Sequence, residues 1–157
     1  MDYHLLARWL HVIGACVLLG TGAGIAFFMV MGHRTRSAVL VAHVAGTVVL
    51  ADFLFTATAV VIQPLTGVWL ARIIGWPLTT PWIAVSLGLY ALIGVFWLPV
   101  VWLQMQMRDL ARTAAATGEE LPAAYHRYYR MWFAAGFPAF AAVLAIVWLM
   151  LERPIHW

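Results

Sequence analysis

Four ionisable side chains stand inside long apolar runs, and they are the first candidates for chemistry. His11 lies near the start of the chain, Asp52 near the middle of the second apolar run, and His43 and His126 in the second and last runs. An ionisable group is costly inside a bilayer, so each of these residues needs a partner or a role. Each also has a plainer explanation, which is a hydrogen bond that ties two helices together.

His11 has the side chain best suited to hold a cofactor, because a neutral imidazole is a good axial ligand for haem iron. The small residues Gly14, Gly20 and Gly24 follow it and would let a flat porphyrin lie against the helix. The same glycines also favour close helix packing, which needs no cofactor. The pattern therefore predicts either a haem group or a tight helix contact, and it identifies no second axial ligand.

Asp52 is predicted to relay protons, because a lone carboxyl at mid-membrane is either protonated or paired with a donor. It could instead hold a histidine in one tautomer, or tie two helices together. His43 and His126 are expected at similar depth near one membrane face, where they could bridge a metal ion. Solvated histidines at the interface are the alternative.

Copper handling is a further alternative, because thioether and imidazole groups suit Cu(I). Methionine is also an ordinary filler of apolar cores. The residues concerned gather toward the same face as His43; they are Met29, Met31, Met105, Met107, Met131 and His33.

Four membrane-spanning helices must position these residues. Of the 157 residues, 65% are hydrophobic and only 10% are charged, which is too little charge for a water-soluble surface. A span needs about 20 apolar residues, and the segments that qualify are about 5–32, 39–62, 81–107 and 125–151. The predicted fold is an all-α, four-helix transmembrane bundle formed by a single domain, residues 1–157.

Proline residues mark the expected helix boundaries and kinks. The second helix is expected to stop before Pro64, which makes residues 63–80 a Trp-rich loop with room for a short helix lying on the membrane. Thr80 is expected to cap the third helix, with Pro81 at its first position. Pro99 and Pro138 fall inside predicted helices, where neighbouring helices can satisfy the freed carbonyl groups.

Arginine placement predicts the orientation of the bundle. Two connections and the start of the fourth helix carry most of the basic residues, namely Arg34, Arg36, Arg108, Arg112, Arg127 and Arg130. These connections should be cytoplasmic and both termini periplasmic, in the inner membrane of a bacterium. The arginines flank the spans instead of forming a stripe, so the lipid bilayer is the expected partner and nucleic acid is not.

Several phrases of the sequence resemble a bacterial family of predicted integral membrane proteins with a domain of unknown function. The resemblance covers nearly the whole chain and carries no established activity. The phrases are Leu10-His11-Val12-Ile13-Gly14-Ala15, Ala51-Asp52-Phe53-Leu54-Phe55, Gln63-Pro64-Leu65-Thr66-Gly67, Gly75-Trp76-Pro77-Leu78 and Gly136-Phe137-Pro138-Ala139-Phe140.

The chain is more distantly similar to HemJ-type protoporphyrinogen oxidases and to the membrane domain of copper-resistance D proteins. These also open with a His in the first helix, and the HemJ-type proteins have a second His at its far end, as His11 and His33 are placed here. The resemblance implies that His11 binds haem b. Where HemJ-type proteins place Asn-Glu ahead of the last-helix proline, this chain has Ala135-Gly136, so the resemblance extends to haem more than to the oxidase reaction.

The leading hypothesis is therefore a haem-b-binding membrane protein that moves electrons, with a quinone, a porphyrinogen or a redox protein as its partner. Arg8 or Arg72 is expected to meet a haem propionate by a charge-assisted hydrogen bond. The alternative is a cofactor-free subunit or assembly factor of a larger membrane complex, and a homo-oligomer is compatible with either. Whether the protein is an enzyme stays open.

Overall fold

The first helix is long enough to cross a bilayer alone. In the computed structural model, which describes residues 2–153, α1 spans Tyr3–Arg34. The Asp2 carboxylate accepts hydrogen bonds from the backbone N–H groups of His4 and Leu5, at 3.1 and 3.3 Å. It thereby satisfies donors that the first turn leaves without a helical partner.

The second helix continues well past its predicted end. α2 spans Ala38–Ile74, with one π-helical segment at Asp52–Thr56. The prediction that it stops at residue 62 is wrong. Pro64 has no N–H and so deprives the Val60 carbonyl of its usual partner, but the Tyr90 hydroxyl of the next helix donates to that oxygen at 2.6 Å. This bond from a neighbouring helix lets α2 pass through the proline.

The third and fourth helices are α3, Pro81–Thr117, and α4, Ala123–Glu152. Pro81 occupies the first position of α3, as predicted, but the Thr80 hydroxyl donates to the Pro77 carbonyl instead of capping an N–H. α3 runs beyond the predicted residue 107 because its last turns are rich in alanine, a strong helix former. It ends at Gly118, whose φ of 72° is a left-handed conformation that glycine adopts without strain.

The helices pack as a row in chain order, α1 to α4, and the first and last helices touch over a short stretch. The first half of α2 packs against α1 and α3, whereas its second half packs mainly against α1. We call the end formed by connections 35–37 and 118–122 the basic end. The other, the terminal end, holds residue 2, residue 153 and connection 75–80.

The surface of the bundle is apolar, and its core is small. All four helices are long and apolar enough to cross a membrane, and large side chains such as Phe28, Leu54, Val95 and Phe137 point outward. No strand occurs within residues 2–153. The all-α, four-helix fold class is confirmed, while the cytoplasmic assignment of the basic end stays a prediction.

Candidate functional site

His11 lies against the second half of α2, between two polar side chains. Its Nδ1 is 3.1 Å from the hydroxyl oxygen of Thr66, and its Nε2 is 3.5 Å from the carboxamide nitrogen of Gln63. Gln63 and Thr66 are both buried, and the imidazole is partly buried. The two hydrogen-bond partners of His11 therefore lie on the same neighbouring helix, α2, one helical turn apart.

The hydrogen bonds of Thr66 determine which nitrogen of His11 carries the proton. The Thr66 hydroxyl donates its single hydrogen to backbone carbonyls of its own helix, those of Ile62 and Gln63, both at 3.0 Å. It can then only accept from the Nδ1–H of His11. The Nε2 atom keeps its lone pair, and its polar contact is the long one to the Gln63 amide. Histidines that ligate metals are oriented in this way, by a bond at the other ring nitrogen.

Two glycines allow α1 and α2 to approach closely at this point. A methyl group at Gly67 would lie 2.9 Å from Cε1 of the His11 ring. A methyl group at Gly14 would overlap Oε1 of Gln63, an atom that is buried and has no hydrogen-bond partner among the described residues. Gly14 thus accommodates a side chain of α2, at the position where the sequence predicted space for a porphyrin.

The structure does not bring the other predicted glycines to His11. A methyl group at Gly20 or Gly24 would have nothing within 4 Å. Gly20 is nine residues from His11, about two and a half turns of an α-helix, so it lies on the opposite side of α1. The prediction that these glycines share a cofactor groove with His11 has no support in the packing.

The two arginines predicted to meet propionates lie toward the terminal end from His11. Arg8 is exposed, one turn before His11, and its guanidinium is 3.2 Å from Nε2 of His4. Arg72 is exposed in the last turns of α2, beyond Thr66 and Gly67. α1 and α2 are antiparallel, so both cations lie between the imidazole and the nearer membrane surface.

Asp52 belongs to a second buried polar group, between α2 and α3. Its carboxylate accepts a hydrogen bond of 3.4 Å from the Trp97 indole N–H, and Thr56 and Gln104 also face it. Asp52, Thr56 and Gln104 are each more than nine-tenths buried. The Thr56 hydroxyl and the Gln104 carbonyl oxygen have no partner within residues 2–153, so this group has spare oxygen atoms in the interior.

The His11 and Asp52 groups are separate sites. Asp52 and Gln63 are eleven residues apart on α2, or roughly 16 Å along the helix axis. Asp52 therefore does not fix the His11 tautomer, as one alternative proposed; Thr66 has that position instead. A role for Asp52 in moving protons stays a prediction.

His43 and His126 line two different clefts. His43 lines a cleft of about 360 Å³ with Arg112 and Gly46, whereas His126 faces His33, with ring centroids 5.7 Å apart. In residues 2–153, no group of three or more His, Cys, Asp or Glu side chains is placed to hold a metal ion. A metal bridge between these two histidines stays a prediction.

The methionines proposed for copper differ in their surroundings, and copper handling stays a prediction. Met29 and Met107 are buried in the hydrophobic core, and Met131 is exposed. His33 is occupied by aromatic neighbours. This distribution is that of core-filling and lipid-facing methionines.

A family comparison agrees with the four-helix fold. The profile of the family described as "Predicted integral membrane protein (DUF2269)" matches residues 5–154. The chain belongs to this family. The match spans both buried polar groups, and membership establishes a membrane protein without an assigned activity. The curated proteins and the solved structures contain no significant match.

Gln63, Thr66, Trp97 and Gln104 are the site residues that the sequence interpretation missed. Gln63 and Thr66 were assigned to a loop because Pro64 was taken as the end of α2. Gln104 lay inside a predicted span, and the cost of burying an amide in a bilayer singles it out by the same reasoning as Asp52. The three-residue spacing of Gln63 and Thr66, one helical turn, was the available signal.

Proposed function

We propose that this family member binds haem b inside the membrane through Nε2 of His11 and takes part in electron transfer. The observation that carries the proposal is the hydrogen bond from His11 Nδ1–H to Thr66, which leaves the Nε2 lone pair available. The distant resemblance to HemJ-type proteins supports the same residue.

The His11 imidazole is a suitable donor for iron. The Gln63 side chain must move away from Nε2 before iron can bind there. Its carboxamide contacts His11 Nε2 at 3.5 Å, and its Oε1 has no partner in the described part of the chain. A contact at that distance is weak, so moving this side chain loses little. The space beside Gly14 then becomes available next to the imidazole.

The remaining residues have supporting roles in this proposal. A bound haem supplies one-electron chemistry, with a quinone, a porphyrinogen or a redox protein as the partner. Arg8 and Arg72 would hold the propionates at the terminal end by charge-assisted hydrogen bonds. Asp52 would hold a proton that balances the electron, and the Trp97 indole N–H donates a hydrogen bond to its carboxyl group.

The test is the visible spectrum of the detergent-purified protein from haem-replete cells, oxidised and then reduced with dithionite. The wild type should show a Soret band with sharpened reduced bands, and His11→Ala should lose them. His33→Ala is the matched control, because it removes a histidine at the far end of α1, and it should keep the spectrum. Gln63→Ala should keep or strengthen the band, because it removes the competing amide.

A folded, helical wild type without a Soret band would overturn the proposal. So would a band that survives His11→Ala, since the iron ligand would then lie elsewhere. Circular dichroism and gel filtration of each variant separate loss of haem from loss of fold.

The role of Asp52 has its own test in the haem-loaded protein. Asp52→Asn keeps the shape of the side chain and removes the titrating group. We expect the midpoint potential, which should fall with rising pH in the wild type, to become nearly independent of pH. An unchanged slope would remove Asp52 from proton handling without touching the His11 assignment.

A cofactor-free subunit or assembly factor is the second candidate, and one observation favours it. Gly20 and Gly24 form a small-xxx-small pair with open space above them, which suits a helix of another chain. In that case no variant changes a visible spectrum, and Gly20→Leu with Gly24→Leu releases a partner that co-purifies with the wild type. Retention of every co-purifying protein by this double variant would remove the second candidate.

A further inference from the structure

A cleft of about 750 Å³ opens at the basic end, between the end of α1 and the start of α4. Its walls are polar, and it lies where these two helices meet, away from both buried polar groups. The lining residues are His33, Arg34, Arg36, Glu120, Leu121 and His126.

The cleft carries an excess of positive charge. Arg34 and Arg36 are exposed in it and face one carboxylate, that of Glu120. Over residues 2–153 the one ion pair within 4.0 Å is Arg108 with Asp109, outside the cleft. Both guanidinium groups of the cleft are therefore without a carboxylate at ion-pair distance, and they can bind an oxyanion in the two-pronged manner typical of arginine.

Aromatic packing holds His33 in the wall of this cleft. Its ring stacks on Tyr129 with centroids 3.6 Å apart and planes 9° apart. Its Nδ1 is 3.2 Å from the Tyr125 hydroxyl. Nε2 has no hydrogen-bond partner among the described side chains, so the cleft presents a positioned imidazole nitrogen beside the two arginines.

An aromatic stripe on α4 runs from the cleft toward the middle of the membrane. Tyr129, Phe133 and Phe137 are four residues apart, with ring centroids separated by 6.0 and then 5.1 Å. Phe133 is 44% exposed and Phe137 64% exposed. The polar cleft thus continues into an apolar strip that faces the hydrocarbon region.

We propose that this cleft binds the phosphate headgroup of an anionic phospholipid, whose acyl chain lies along the aromatic stripe. Phosphate is the shared chemistry of a headgroup and a free inorganic ion. The stripe and the position at the end of four membrane spans favour the lipid, because basic sites there collect anionic headgroups. The proposal does not depend on haem at His11.

The experiment measures how much phosphatidylglycerol and phosphatidylcholine the full-length protein retains after mixed-micelle exchange, by native mass spectrometry. The wild type should prefer phosphatidylglycerol. In the double variant Arg34→Gln, Arg36→Gln the preference should fall about thirtyfold, since each direct hydrogen-bonding contact to the phosphate contributes on the order of one factor of five. The double variant Arg127→Gln, Arg130→Gln is the control, with the same charge change at the same end and outside the cleft lining, and it should keep the preference.

Two further measurements distinguish a lipid headgroup from free phosphate and test the aromatic stripe. Inorganic phosphate at millimolar concentration should not displace phosphatidylglycerol; displacement would assign the cleft to a free anion. Phe133→Ala with Phe137→Ala should reduce lipid retention, whereas Phe27→Ala with Phe28→Ala, an exposed aromatic pair on α1, should not. Equal loss in both arginine pairs, or no preference in the wild type, would overturn the proposal. Unchanged helicity in each variant excludes misfolding.

Discussion

Two of the histidines of α1, His11 and His33, show how the same side chain is positioned by different forces toward the two ends of one helix. His11 is oriented by hydrogen bonds to Thr66 and Gln63, whereas His33 is oriented by stacking on Tyr129. The Thr66 hydrogen is committed to backbone carbonyls, but the Tyr125 hydroxyl that meets His33 is free to donate or accept. Only the first arrangement dictates which ring nitrogen carries the proton.

This difference follows from what surrounds each ring. His11 lies where two glycines permit close helix contact, so small polar groups of α2 can reach both nitrogens. His33 lies at the basic end, where water and charged groups can satisfy an imidazole and aromatic rings supply the packing. Hydrogen bonding fixes the tautomer of His11, whereas stacking positions the His33 ring without fixing its tautomer.

The largest effect on the His11 side is expected from Gly67→Ala. The new methyl group would lie 2.9 Å from the His11 ring, so the ring must move or the helices must separate, at a cost of roughly 1–3 kcal/mol in the free energy of unfolding. Gly20→Ala is the control, because a methyl group there meets nothing within 4 Å. Thermal unfolding in detergent checks the pair; equal midpoints would show that α1 and α2 are not closely packed at His11.

A substitution with a smaller effect on stability distinguishes His11 from His33 most clearly. Thr66→Val should cost about 1 kcal/mol of stability and allow His11 to exchange between its two neutral tautomers. Tyr125→Phe should leave the His33 ring stacked and should not change the imidazole signals of His11. Nitrogen-15 spectra of the imidazoles check both variants, and a His11 ring that stays in one tautomer without Thr66 would break the comparison.

Much of the fold could be predicted from the sequence because the apolar runs are long and unbroken. The four spans were found, but the end of α2 was not, since nothing in the local sequence reveals that Tyr90 supplies the bond that Pro64 removes at Val60. The error about α2 then hid Gln63 and Thr66, the two partners of His11. A contact between residues 52 or 55 positions apart in the chain has no local signature.

The sequence identified the ionisable residues of the candidate site, but it did not reveal how these residues are arranged in space. His11 and Asp52 were identifiable because each is expensive in a bilayer. Gly20 was predicted to line the same groove as His11 because the two residues are close in sequence. They lie on opposite sides of the helix, half a turn apart. The cleft at the basic end depends on α4 meeting α1, which the sequence of either helix alone does not reveal.

The π-helical segment at Asp52–Thr56 explains how one helix serves two different neighbours. In an unbroken α-helix, eleven residues would place Asp52 and Gln63 within about 20° of the same azimuth. A π turn accommodates one extra residue and offsets everything after it by roughly 100°. Asp52 therefore points to Trp97 on α3 and Gln63 to His11 on α1. This one additional residue rotates the second half of α2 relative to the first half. The two polar groups of α2 therefore lie at different helix interfaces.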